Sequence, residues 1–347
     1  MIIHNKFVGG NIFVDRIEGD HVYLRNELRD TTTEWFYWAF CVEGAEGQEL
    51  TFHLGPKRLG YFGPAVSHNL EDWHWLDTCD GEAFTYKFGE NESKVYFAHH
   101  MLYHPVQFST FAMRNGLTVT EFCKSRKGNS VPCIKLGEGE SSIILTARHH
   151  ACESVGGYVL EGLVEELVKN PIENTRVLCV PFMDYDGVVD GDQGKNRYPH
   201  DYNRDYIDEP IYPEIRALIA YADEYGANLC FDFHSPSHQG KAHDHIYMMR
   251  CFKAEKIDRF SELLTEEYIE GGMHYSPQWD HPAKPYAPDA PHLTFNAHMN
   301  YRPENVLAFT MECTYAGLEE NKVSQERLRV FGRSFANALR RFVKENN

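Results

Sequence analysis

In the segment ARHHACES, His150 and Glu153 stand three residues apart, directly after the apolar run SSIILTA. On a turn that opens a helix, this spacing aims an imidazole nitrogen and a carboxylate oxygen at one point. Zinc accepts both at about 2 Å and, in catalytic sites, keeps a further position for water. His149 competes for the ligand role, because the same spacing from it reaches Cys152. A His–Cys pair suits a closed structural site better, so His150 is taken as the ligand. His234 leaves the run NLCFDF at its end and is placed to be the third ligand. Read alone, it would serve equally as a capped core histidine, and His238, His243 and His245 follow it. Glu312 ends a further apolar run, AFTMEC. An unpaired carboxylate there is costly to bury, and a neighbouring metal would justify it. As a general base it would take a proton from zinc-bound water, whose pKa the metal lowers to near 7.

The loop after RVLCVPF, MDYDGVVDGDQGKNRYPHDYNRDY, carries Arg197, Asp201, Asn203 and Arg204. Arg and Asn beside a metal suit recognition of a carboxylate, since guanidinium offers a planar fork. Asp201 would orient a metal-bound histidine by accepting its other ring proton. By composition alone the same loop reads as a solvated acidic turn.

The elements that must position these residues fall into two textures. As far as Lys127 the chain is rich in Trp, Tyr and Phe in short, alternating runs punctuated by turns, which predicts an antiparallel β-sandwich over residues 1–127. Beyond it, apolar runs at 141–147, 176–182, 227–233 and 305–313 alternate with amphipathic segments of helical length. That pattern predicts an α/β domain over 128–347 with a mixed, mainly parallel sheet, whose active site lies at the carboxyl ends of strands. Residues 271–302, with many Pro, His and Asn, read as a long loop.

The 347 residues carry 34 Lys and Arg against 51 Asp and Glu, a net charge of -17 that repels nucleic acid and anionic membrane surfaces. No apolar run approaches the roughly 20 residues that span a bilayer. The nine cysteines are odd in number and form no CxxC pair, which fits a reducing, cytoplasmic setting. A count of 20 Tyr and 22 Phe excludes a disordered chain. Trp35, Trp38, Trp73 and Trp75 would serve as core or as a glycan- or protein-binding surface, with core the better reading.

Taken in order, HxxE, DG followed by Arg and DxNR, His at a strand end and Glu at a late strand end resemble the M14 family of zinc carboxypeptidases over 128–345. TARHHACES, TMECTYAG and VYFAHHMLYHP are similar to segments of its cytosolic carboxypeptidase branch, a resemblance that reaches nearly the whole chain. It implies one zinc held by His150, Glu153 and His234, with Glu312 as base and Arg197 polarising the scissile carbonyl. It further implies that Asn203 and Arg204 grip the terminal carboxylate of a peptide or protein substrate, that Asp201 backs His150, and that Tyr286 or Tyr301 assists. The family's NPDG and HPGE are here DYDG and HACE. Where deglutamylating members place a basic residue, this chain has Ala297 or His298, so glutamate specificity is not expected. The competing readings are an amidohydrolase acting on small N-acyl amino acids and a non-catalytic binding module. The intact ligand set and Glu312 argue against the second.

Overall fold

The computed structural model describes residues 1–250, 254–282, 290 and 293–346. Nine strands come first: β1 (Ile2–His4), β2 (Phe13–Glu18), β3 (His21–Arg25), β4 (Ala39–Glu43), β5 (Glu49–His53), β6 (Ala65–Ser67), β7 (His74–Trp75), β8 (Ala83–Lys87) and β9 (Lys94–Ala98). They form two sheets, ordered β1-β4-β9-β6-β7 and β2-β3-β5-β8. All pairings are antiparallel except β3 with β5, so the expected sandwich is present with one parallel exception.

Strand alternation explains how the first sheet is used, since successive side chains face opposite sides. Phe40 and Val42 of β4, Val66 of β6, and Val95 and Phe97 of β9 point into the sandwich with Trp38, Phe52 and Phe84. Ala39, Cys41, Ala65, Tyr96 and Ala98 point the other way, into the core of the following α/β layers. The sheet therefore has no solvent face. Trp38, Trp73 and Trp75 are buried, and the Trp75 indole donates to the Val323 carbonyl at 2.8 Å. These three are core.

The second half runs α1 (Pro105–Arg114), β10 (Val119–Lys124), β11 (Ser130–Leu136), β12 (Ser141–Ala147), α2 (Gly156–Lys169), β13 (Thr175–Val180), α3 (Tyr185–Asp190), α4 (Pro213–Tyr225), β14 (Leu229–His234), β15 (Tyr247–Arg250), α5 (Ala254–Glu266), β16 (His281–Pro282), α6 (Phe295–Asn300), β17 (Leu307–Glu312) and α7 (Gln325–Asn346). Its eight strands form one sheet, ordered β10-β11-β13-β12-β14-β17-β15-β16, with a parallel centre β13-β12-β14-β17. Ile143, Leu145, Phe231, Phe233, Phe309 and Met311 face α2, α5 and α7. Ile144, Leu178, Val180, Cys230 and Ala308 face α4 and α6.

The boundary expected after residue 127 lies in the turn between β10 and β11, which pair in the second sheet. One expectation is corrected. Within 271–302, the Thr294 hydroxyl accepts from the Ala297 amide and starts α6, a capping signal within the segment read as loop.

At the junction of the halves lie His99, His100 and His104, all buried. His99 and His100 share a proton between Nδ1 atoms 2.9 Å apart, while both nitrogens of His104 lack a partner among the described residues. Burial first, and the Arg148 charge next, push His100 and His104 down to about 3, against an ordinary 6.5. The unfolded chain thus binds protons that the folded chain refuses. Stability is full above about pH 6.5 and falls as the pH drops toward 3, by about 2 kcal/mol per histidine at pH 5. Urea midpoints measured at pH 7 and pH 5 should show this loss, and equal midpoints would contradict it.

Candidate active site

Strands β12, β14 and β17 are neighbours and parallel, so their carboxyl ends stand side by side. Just past β12, Arg148 takes a left-handed backbone, φ 63°, which non-glycine residues rarely adopt. Its buried guanidinium donates to the Ala151 carbonyl at 2.6 Å and the Tyr103 carbonyl at 3.0 Å, fixing the turn from inside. His150 and Glu153 hang from that turn. His234 and Glu312 end β14 and β17 and are paired in register.

Three of these side chains converge. His150 Nδ1 lies 3.0 Å from Glu153 Oε1 and 3.1 Å from His234 Nδ1, and His234 Nδ1 lies 2.7 Å from Glu153 Oε2. Two imidazole nitrogens facing each other across a carboxylate cannot all be satisfied by one proton. Ligands arranged tetrahedrally about 2 Å from a zinc ion would stand about 3.3 Å apart, close to these separations. Two nitrogens and one carboxylate are also the donor set of a catalytic zinc, so the residues fit the metal. Burial would raise the pKa of Glu153, but His150, Lys195 and His234 together hold it well below the carboxylate range. Glu312 is raised, first by burial and then by the charge of Glu153, and its Oε2 is buried with no partner among the described residues.

The groups around the cluster set its tautomers. Asp201 Oδ1 lies 3.6 Å from His150 Nε2, on the ring edge opposite the cluster. Asp232 Oδ2 lies 2.5 Å from His234 Nε2 in the same sense. Each carboxylate favours a proton on the outer nitrogen and leaves Nδ1 free to bind metal. His149 is no ligand competitor in this arrangement. Its Nδ1 is 2.9 Å from Asp232 and its Nε2 is 2.7 Å from the Tyr206 hydroxyl.

Arg197 is engaged by carboxylates. Its Nε, Nη1 and Nη2 pair with Asp30, Asp184 and Asp192 at 3.1, 2.7 and 2.9 Å, away from the cluster. Three carboxylates on one fork use the guanidinium up structurally. The cation delivered to the cluster is Lys195, whose Nζ lies 2.6 Å from Glu153 Oε1 and 5.3 Å from the Trp35 ring centroid. Burial alone would lower its pKa, but Glu153 and Glu312 raise it, so it stays charged. Its loop is pinned from the sandwich side. Asp30 accepts from the amides of Gln193 and Gly194 at 2.9 and 2.7 Å, and the Gln193 side chain bonds the backbone of Tyr37 and Glu27. Neither the glycine-flanked QGKN sequence nor the spacing reveals this, because Asp30 lies 165 residues upstream of Lys195.

Asn203 and Arg204 sit on a short 3-10 turn beside His234. Asn203 Oδ1 accepts from the Phe295 amide at 2.9 Å, which turns its Nδ2 toward His234 Nε2 at 3.4 Å. That nitrogen also lies 2.5 Å from Asp232, so Asn203 Nδ2 stands at the outer edge of the His234 ring. Tyr301 caps the carboxyl end of α6 and packs against the apolar layer under α4 and α6. Tyr286 lies outside the described residues. Tyr247, which the sequence reading missed, pairs with Glu312 across β15 and β17.

No family model matches the sequence. The chain is 26% identical over 300 residues to an uncharacterized protein of Zymomonas mobilis, covering 80% of this chain and 77% of that one. It is 23% identical over 313 residues to human cytosolic carboxypeptidase 2, covering 72% of this chain but 34% of that protein, so it spans about a third of that relative's length. A crystal structure of a metallo-carboxypeptidase from Burkholderia cenocepacia superposes with a TM-score of 0.81 at 19% identity, over 100% of both chains. The protein has the metallo-carboxypeptidase fold and is cytosolic-carboxypeptidase-like in sequence.

The fit of the Lys195 loop against the His150 turn yields a test at Gly194. Gly194 has φ +76°, and a Cβ there would stand 2.1 Å from the Ala151 amide nitrogen. Gly194→Ala should cost a few kcal/mol and reduce bound metal, because backbone must move under His150. Gly19→Ala, also at positive φ but with nothing within 4 Å, should cost about 1 kcal/mol and leave metal content unchanged. Thermal unfolding and metal analysis of both variants check this.

Proposed function

We propose that this chain is a zinc-dependent metallocarboxypeptidase that hydrolyses the last peptide bond of a peptide or protein. The observation that carries the reading is the buried convergence of His150, Glu153 and His234, with Oε2 of Glu312 at the adjoining strand end and without a partner among the described residues. A zinc ion held by those three residues would supply a Lewis acid that lowers the pKa of a water to near 7.

The chain's own groups do the rest. Glu312 takes a proton from the attacking water and passes it to the leaving amine, the work of a general base turned general acid. Lys195 replaces Arg197 as the cation facing the developing negative charge on the carbonyl oxygen, a role that one aimed donor fills for about 3–4 kcal/mol. Asn203, with its amide protons held toward the site, and Arg204 bind the substrate's terminal carboxylate. Asp201 keeps His150 in its ligand tautomer.

Near the position where acidic side chains would need a fixed cation, His298 is half-buried and pushed down to about 4, first by burial and then by Arg302. It is neutral at neutral pH. The reading therefore stays with a carboxypeptidase that is not a deglutamylase. A cytoplasmic setting is part of the proposal, supported by the scattered cysteines and by the cytosolic relatives. No helix among the described residues is long and apolar enough to cross a membrane.

A peptide-library digest should release single carboxyl-terminal residues, and amidated carboxyl termini should resist. Turnover of N-acyl amino acids with inert peptides would favour the amidohydrolase reading instead. Glu312→Gln should keep zinc and lose about 10²–10⁴-fold in kcat; near-parental turnover would refute the base assignment. Lys195→Met should lower kcat by about 10²–10³-fold and, by taking a cation from buried Glu153, should also cost stability. Arg197→Met should lose about 3–5 kcal/mol of stability by leaving carboxylates unpaired, with a far smaller effect on the kcat of the folded protein.

A further inference from the structure

His149 stands in the HxxE turn yet both of its ring nitrogens are engaged away from the metal cluster. Its hydrogen-bond partners allow one consistent placement of protons. Asp232 is fully buried and, as a carboxylate, only accepts. It receives the Thr146 hydroxyl at 2.8 Å and His149 Nδ1–H at 2.9 Å on Oδ1, and His234 Nε2–H at 2.5 Å on Oδ2. With its proton on Nδ1, a neutral His149 must accept at Nε2, and the donor there is the Tyr206 hydroxyl at 2.7 Å. The chain of donors therefore runs from Tyr206 to His149 to Asp232, and from the other side His234 donates into the same carboxylate. The His234 lone pair is thereby committed to Nδ1, 2.7 Å from Glu153 Oε2 and 3.1 Å from His150 Nδ1.

We propose that His149 and Tyr206 are positioning residues for the metal ligand His234, acting through Asp232. This rests on the reading of His150, Glu153 and His234 as the zinc site. Without the Tyr206 hydroxyl, Nε2 of His149 becomes an unpaired buried acceptor and the ring keeps only its Nδ1–H bond to Asp232. Held at one nitrogen instead of two, the ring no longer fixes the carboxylate that orients His234. Without His149, Thr146 alone holds Oδ1 and the carboxylate plane is no longer fixed. The rings of His149 and His234 are parallel, 8° apart with centroids 5.8 Å apart, so displacement of one opens space beside the other.

His149, Asp232 and His234 also approach one another closely enough to suggest a metal site of their own. Such an ion would have to displace the protons that His149 and His234 donate to Asp232. The continuous donor chain to Tyr206 accounts for the same geometry without it.

The test is zinc affinity, measured by chelator competition on the purified full chain, with the melting temperature of the zinc-free protein recorded alongside. Tyr206→Phe deletes one oxygen and should lower zinc affinity about 10-fold, and His149→Gln about 10–100-fold. In an Asp232→Asn background, Tyr206→Phe should change affinity by less than about twofold, because the link to His234 is already cut. Should His149→Gln fail to fold, Tyr206→Phe and its Asp232→Asn pairing carry the test alone. If the parent binds one zinc and the variants bind as tightly, differing only in melting temperature, the positioning role is overturned while the zinc site stands. It is equally overturned if the Tyr206→Phe loss persists in full without Asp232, or if His149→Gln abolishes zinc binding while His150→Ala keeps it. A parent chain that takes up no zinc overturns the zinc reading itself and this inference with it.

Discussion

Everything at the site follows from one constraint: carboxylates cannot be buried at strand ends unless something positive is buried with them. Glu153 and Asp232 are fully buried and Glu312 is buried at its Oε2. The desolvation cost of even one such group, uncompensated, would exceed the net stability of an ordinary domain. The imidazoles of His150 and His234, the Lys195 ammonium and the donor chain into Asp232 are the chain's own answer. A divalent ion at the convergence point would complete it. That is why the ligand-bearing turn, the two strand ends and the Lys195 loop must all be in place together.

Much of this was legible because burial writes itself into sequence as apolar runs. SSIILTA, NLCFDF and LAFTME each mark a central strand, and the polar residue following or closing the run is necessarily at a strand end. His150, Glu153, His234 and Glu312 could be located for that reason. The choice between Arg197 and Lys195 could not be read the same way. It depends on which cation meets Asp30, a residue the chain supplies from the sandwich, and no local pattern encodes that encounter. The role of His149 was hidden likewise, since its partners Asp232 and Tyr206 lie 83 and 57 residues away. The turn KSRKGNSVP reads as a linker for a related reason: hairpin turns and linkers share a composition, and only pairing distinguishes them.

The sandwich is consequently a part of the catalytic half's own architecture. Asp30 and Tyr37 shape the backbone that presents Lys195, and Trp35 lies against that side chain. In the catalytic layers, the same closeness lets Trp75 and Gln325 tie β7 and its approach to the start of α7 and the turn before it.

That closeness has a specific origin in the inner face of the first sheet, where Ala39, Ala98 and Ala65 sit in register across three adjacent strands. The row acts as a shim of minimum thickness. Its small side chains let the α/β core pack closely on that sheet, and the same half sends Asp30 and Trp35 to the Lys195 loop. Residues with no chemistry of their own thus lie between the sandwich and the half that carries the Glu153–Lys195 pair, and a larger side chain in the row would press on the contacts that hold that pair.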